Sequence, residues 1–242
     1  MKMISEFIKY QYAQYLLSAK WVIPFILLLA VFGAMYSVMP VGVISNFAIM
    51  GLVLFVIMSG IGMACQEIEP RVSEQILILR MRSVRKYYIG QILFKGTLSG
   101  IVTAASICYP LIVHYCNKKM LFVRDISVSD ITGGLLLLFA CSFSGCMLGG
   151  IFSPGLIRDR KTRIALTIAC VLISVIRISI VEEAPLLKYI LWIVPPVSDV
   201  MAWFMKDDFF QIEKVMGAFF ILMFYGIALA AIKVEWSKIR RF

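Results

Sequence analysis

The sequence predicts an all-α integral membrane protein forming a single transmembrane domain over residues 1–242. It would have six transmembrane helices, an N-terminal interfacial helix, and a re-entrant or outer helical hairpin between spans five and six. Three observations carry this. Of 242 residues, 61% are apolar and only 16% are charged, against about 25% charged in a soluble domain. The mean hydropathy is +0.91. The apolar residues come in runs of roughly 20, the length that crosses a bilayer. Together these exclude a soluble enzyme, a disordered chain and a secreted disulfide scaffold.

Residues 1–20 open the chain. Ile4, Phe7, Ile8 and Tyr15 fall near one helical face, while Lys2, Glu6, Lys9 and Gln14 lie mostly elsewhere. That pattern predicts an amphipathic helix lying in the interface. The first long apolar run follows it and reads as a span, not a cleavable leader. The first span is Trp21–Met39, closed by Pro40 and Gly42, and the second is Val43–Cys65. A charged stretch at 66–88 then leads into the third span, about Ile89–Cys116. The fourth is about Ile131–Ile157. The basic cluster Arg158, Arg160, Lys161 and Arg163 separates it from the fifth, about Ile164–Val181, and the sixth is about Val215–Val234.

Residues 182–213 form neither a clean span nor a plain loop. Two short apolar pieces flank Pro195 and Pro196, and no single continuous helix accommodates both prolines in its interior. Each piece is under half a bilayer long, so the stretch is predicted to be re-entrant or to lie in the outer leaflet. Tyr189, Trp192 and Trp203 would sit at headgroup depth. With an even number of spans, both termini share one side. On that assignment seventeen of the 24 Lys/Arg, but only six of the 14 Asp/Glu, lie on the terminal side. The positive-inside rule makes that side the cytoplasm. The net charge of +10 then faces anionic lipid and cytoplasmic partners, with no need of nucleic acid.

The 66–88 stretch carries the most specific signal. Two acids, Glu67 and Glu69, close the second span. Ser73-Glu74-Gln75-Ile76-Leu77 and Arg80-Met81-Arg82-Ser83 follow, and Lys86-Tyr87-Tyr88-Ile89-Gly90-Gln91 runs into the third span. Apolar Ile76, Leu77 and Leu79 beside Glu74 and Arg80 suggest a short helix with an apolar edge, of the sort that docks into a partner; a basic helix lying on the membrane is the plainer alternative. The segment resembles the cytoplasmic connection of ABC-2-type transporter permeases. There a Gly-Thr-x-Glu-x-Leu-type helix is followed by a Pro-x-Ser-Arg-like turn and a Gly-Lys opening the third span. This chain has Arg71-Val72, Met81 and Gln91 where glycine-threonine, proline and lysine are usual, which marks a specialised member.

The resemblance implies a permease subunit in a bacterial plasma membrane, multi-pass with both termini cytoplasmic, similar to small exporters used in bacteriocin or lantibiotic export and self-protection. Residues 66–88 would be a coupling helix. Glu67, Glu69, Glu74, Gln75, Arg80, Arg82 and Arg85 are the candidates for contact with a separate ABC ATP-binding subunit. ATP and magnesium would be bound on that subunit and no cofactor by this chain, which lacks the Gly-x-x-x-x-Gly-Lys-Ser/Thr phosphate cradle. The chain is therefore expected not to be an enzyme. A second permease, like or unlike, is also implied, and the cargo would be amphipathic or hydrophobic, with peptide the first choice.

Small residues recur every four positions in the third span, at Gly96, Gly100, Ala104 and Cys108, and again in the fourth around Gly145 and Gly149. Such strips allow close helix packing within the chain or across a dimer interface. Pro110 and Pro154 are expected to kink their helices. Ionisable residues in the spans are few. His114 and Arg177 lie near outer ends, and Arg177 is expected to snorkel outward or to pair with Glu182 or Glu183. The six cysteines form no Cys-x-x-Cys pair, so they read as packing residues, with no metal site. A membrane scaffold or sensor without a transport path is the alternative function, and an intramembrane enzyme is disfavoured by the missing catalytic pairs.

Overall fold

The computed structural model describes residues 2–37, 39–68, 71–117, 120–154, 157, 159–189, 191–205 and 209–239. The helices in chain order are α1 Lys2–Leu17, α2 Val22–Met35, α3 Val43–Gln66, α4 Arg71–Met81, α5 Val84–Cys116, α6 Val128–Gly149, α7 Arg160–Glu183, α8 Val197–Ala202 and α9 Ile212–Ile239. Two single 3₁₀ turns, Pro185–Lys188 and Leu191–Ile193, precede α8. Among the described residues, five helices, α3, α5, α6, α7 and α9, are long and apolar enough to cross a membrane. The chain is thus an α-helical protein of multi-pass membrane type. Leu166, Ile168, Leu172 and Ile176 of α7 face outward, a distribution suited to lipid and not to water.

α6 is the centre of the bundle. It packs most extensively on α3, then on α9 and α5, and nearly every residue from Leu137 to Gly149 is buried. Its start is set locally. Ser127 Oγ accepts from the Asp130 backbone N–H, while the Asp130 carboxylate accepts from the Ser127 N–H, a reciprocal capping box. Arg124 braces that carboxylate with two hydrogen bonds of 2.6 and 2.8 Å. Beside it, Val41 and Phe122 form an isolated parallel bridge, with the Val41 N–H donating to the Leu121 carbonyl at 2.9 Å. This ties the start of α3 to the α5–α6 connection.

Three expected spans change at their ends. The first stops at Met35, so α2 has 14 residues, about 21 Å of helix, short of the roughly 30 Å hydrocarbon core. α1 and α2 meet at 76°, and Ala19, at φ 52°, makes the turn between them. The third begins at Val84, giving a 33-residue helix of about 50 Å, which absorbs the end of the charged 66–88 stretch from Val84 onward. The fourth ends at Gly149, not Ile157. Pro154 therefore lies in a turn beyond α6 and kinks no helix, whereas Pro110 does lie inside α5.

Pro195 and Pro196 separate the 3₁₀ turns from α8, as their ring geometry requires. Both prolines are buried. Val197, Val200, Met201 and Phe204 enter the main core, where α8 packs on α3 and α7. Tyr189, Trp192 and Trp203 stay exposed. The segment between α7 and α9 is therefore anchored in the bundle through α8.

Candidate functional site

The helix expected to couple to a partner is α4. Its inner face is set by Leu77, Ile78 and Met81, which join Phe7 of α1, Tyr87 and Tyr88 of α5, and Val234 of α9 in a small apolar cluster apart from the main core. Phe7 lies against Gly90, where a Cβ would collide with its ring. The opposite face exposes Val72, Gln75, Ile76, Leu79 and Arg80, the i, i+3, i+4, i+7, i+8 spacing of one helical stripe. Val72 is 67% exposed, Ile76 58% and Leu79 77%. α4 ends where Arg82 adopts φ 52°, a left-handed stop that turns the chain into α5 after Ser83.

The sequence-predicted contact residues divide. Gln75, Arg80, Arg82 and Arg85 are exposed around α4 and the start of α5. Glu74 is half-buried and accepts from Tyr88 Oη at 3.4 Å, so it faces the bundle. Glu67 is engaged by its own chain. Arg160 clasps it with two hydrogen bonds of 3.0 and 3.1 Å, Arg163 donates at 3.1 Å, and Lys20 Nζ lies at 3.6 Å. One carboxylate thus ties the α1–α2 link and the end of α3 to the start of α7. Glu69 lies outside the described residues.

The small-residue strips also divide. A Cβ on Gly145 would strike the Phe55 carbonyl, and one on Gly149 the Ser59 carbonyl, so α6 meets the α3 backbone directly at both positions. Gly96 and Gly100 meet only the rings of Phe143 and Phe139, at 3.7 and 3.9 Å. Ala104 and Cys108 continue that strip outward and are exposed.

Arg177 corrects an expectation. It neither snorkels nor pairs with Glu182 or Glu183, which are exposed. It is buried inside the fold with its Nε 3.3 Å from Asp199 Oδ2 on α8. Pairing across the Pro195-Pro196 break needs the tertiary fold, and only Asp199's place in an otherwise apolar run hinted at it. Lys95 of α5 and Lys233 of α9 were also passed over as buried groups. Lys95 is buried and Lys233 half-buried, and Lys233 donates to Gln91 Oε1 at 3.2 Å.

Outside the spans, Asp159 caps α7 through hydrogen bonds to the Lys161 and Thr162 N–H groups and to Thr162 Oγ1. The Thr162 donors hold its carboxyl below the usual carboxylate range. Among the described residues no three His, Cys, Asp or Glu side chains come together as metal ligands. Compared with family models, curated proteins and solved structures, the chain matches none.

Proposed function

We propose that this chain is the membrane-spanning permease subunit of an ATP-driven transporter of the ABC-2 type in a bacterial plasma membrane, exporting an amphipathic or hydrophobic cargo, with peptide as first choice. The observation that carries this reading is α4. Its apolar stripe, flanked by Gln75 and Arg80, is exposed beside charged surroundings, and only two residues separate it from the long α5. A load on α4 passes into a helix that runs about 50 Å through the bundle. A separate ABC subunit would bind ATP and magnesium and deliver that load. This chain supplies Gln75, Ile76, Leu79, Arg80, Arg82 and Arg85 as the docking surface, while Glu74, accepting from Tyr88, seats α4 against α5.

Six crossings with both termini cytoplasmic fit this reading. Lys20 lies beside Glu67 at one end of α3, and Val41 adjoins its other end, so residues 20–41 traverse the length of α3 even though α2 is short. α1 and the end of α9 meet α4 in one apolar cluster, which puts both terminal helices at the same basic end. A second permease would complete the transporter.

The test is purification of the tagged chain from its native host in mild detergent, beside a variant with Leu79→Asp and Arg80→Glu. The wild type is expected to bring down an ATP-binding subunit in stoichiometric amount. The variant is expected to elute as a folded chain without it. Equal recovery by both, or an intact wild-type chain with no ATPase, would overturn the reading in favour of a scaffold.

A further inference from the structure

Two lysines lie inside helices apolar enough to cross a bilayer, and the coupling role of α4 uses neither. Lys95 is 4% exposed and Lys233 is half-buried. Both line one crevice between α5 and α9, with Tyr88 and Gln91 of α5, Met147 of α6 and Ala230 of α9. The spacing of Tyr88, Gln91 and Lys95 places all three on one face of α5. The crevice leaves about 10 Å³ for the centre of a water-sized group, room for one oxygen atom.

The charge in this crevice is out of balance. Among the described residues neither lysine has a carboxylate within ion-pair distance. Lys233 has Gln91 at 3.2 Å and the Tyr88 ring 5.8 Å from its ammonium. Glu74 attracts Lys233 from beyond ion-pair range and accepts a hydrogen bond from Tyr88. Lys95 Nζ rests against Gly150 at the end of α6, where the helix terminus offers about half a negative charge. Two lysine side chains therefore line one crevice with no carboxylate at ion-pair distance among the described residues. Burial of that kind is costly unless an anion completes it. Beside the lysines, Ile92 of α5, Met147 of α6 and Ala230 and Val234 of α9 line the crevice with apolar surface.

We propose that this crevice binds a phosphate group. One non-bridging oxygen occupies the space between Lys95 and Lys233, and the rest of the group lies at the mouth beside the half-exposed Lys233. Free inorganic phosphate and the headgroup of an anionic phospholipid share this chemistry. Paired basic residues between spanning helices are a known form of lipid headgroup pocket. The site does not depend on whether α4 docks an ATPase.

The test uses the full chain, delipidated in detergent and titrated with phosphatidylglycerol, phosphatidylcholine or inorganic phosphate, with bound lipid counted by native mass spectrometry. Each lysine near anionic lipid is expected to contribute about a fivefold preference for phosphatidylglycerol over phosphatidylcholine. Lys233→Gln removes the half-exposed partner and should lose about fivefold of that preference. Lys95→Met with Lys233→Gln should lose most of it, and Lys86→Gln, an exposed basic residue outside the crevice, should lose clearly less than Lys233→Gln. Inorganic phosphate that competes with phosphatidylglycerol for the wild type alone would identify the free ion as a second source. Unchanged preference in Lys233→Gln overturns the proposal whether or not the double variant folds. Equal loss in Lys86→Gln also overturns it, as general surface attraction.

Discussion

α5 and α6 each carry a strip of small residues at four-residue spacing, and the two strips do different things. On α6, Gly145 and Gly149 bring the helix onto the backbone of α3, and Gly62 of α3 answers by meeting the Cys146 carbonyl. On α5, Gly96 and Gly100 sit in ordinary contact with phenylalanine rings, and Ala104 and Cys108 face outward. Close approach of helix backbones requires small residues on both partners, or a small residue against bare backbone. α6 finds that on α3, whereas Gly96 and Gly100 of α5 meet only side-chain rings among the described residues. A strip of small residues states that a helix can be approached closely. It does not state by what.

The largest expected effect tests this difference directly. Gly145→Ala or Gly149→Ala forces a Cβ into a carbonyl, and the helices must separate. Overpacking of this kind costs about 1–3 kcal/mol or more, measurable as a lowered unfolding midpoint in detergent. Gly96→Ala and Gly100→Ala should cost nothing and gain up to about 1 kcal/mol from helix propensity. Equal destabilisation by both pairs would remove the distinction between the strips.

Next in size is Glu67→Gln. Arg163 has a 9% exposed side chain and loses its carboxylate, so a loss of about 1–3 kcal/mol is expected. Exchange at the start of α7 should quicken, while the α3–α6 contact is left unchanged. The outward end of the α5 strip offers a probe of a second copy. Mild oxidation in membranes is expected to cross-link two chains through Cys108, and Cys108→Ser should abolish that dimer. Buried Cys141 and Cys146 should not contribute.

The smallest effect concerns pH. The Asp159 carboxyl is held below its ordinary value by Thr162. Its cap is therefore fully present above about pH 4 and is lost as pH falls through the depressed value. Amide exchange at Lys161 and Thr162, corrected for intrinsic rates, should quicken on acidification. Asp159→Ala should show the faster exchange at every pH.

Much of the fold was legible because long apolar runs dictate helices locally. α3, α7 and α9 lie within a few residues of their expected bounds, and the break at Pro195-Pro196 follows from ring geometry. The stop of α6 at Gly149 was less legible, since Gly150 to Ile157 remains apolar enough to extend a span. Of the expected contact residues, Gln75, Arg80, Arg82 and Arg85 do lie exposed near α4. Glu67 and Glu74 belong to the same charged stretch and are taken up by Arg160, Arg163, Lys20 and Tyr88, which the sequence does not place beside them.

Composition and run length alone determined that this chain is helical and suited to a membrane, because apolar burial and backbone hydrogen bonding act over contiguous residues. Spacing within 71–81 determined that α4 would keep an apolar edge. Only the tertiary structure decided which charges are satisfied. Asp199 meets Arg177 across a proline break, three cations from two distant segments share Glu67, and Lys95 and Lys233, far apart in the chain, line one crevice. Charge pairing depends on distances of a few ångströms between helices, and those distances are set by how the whole bundle packs.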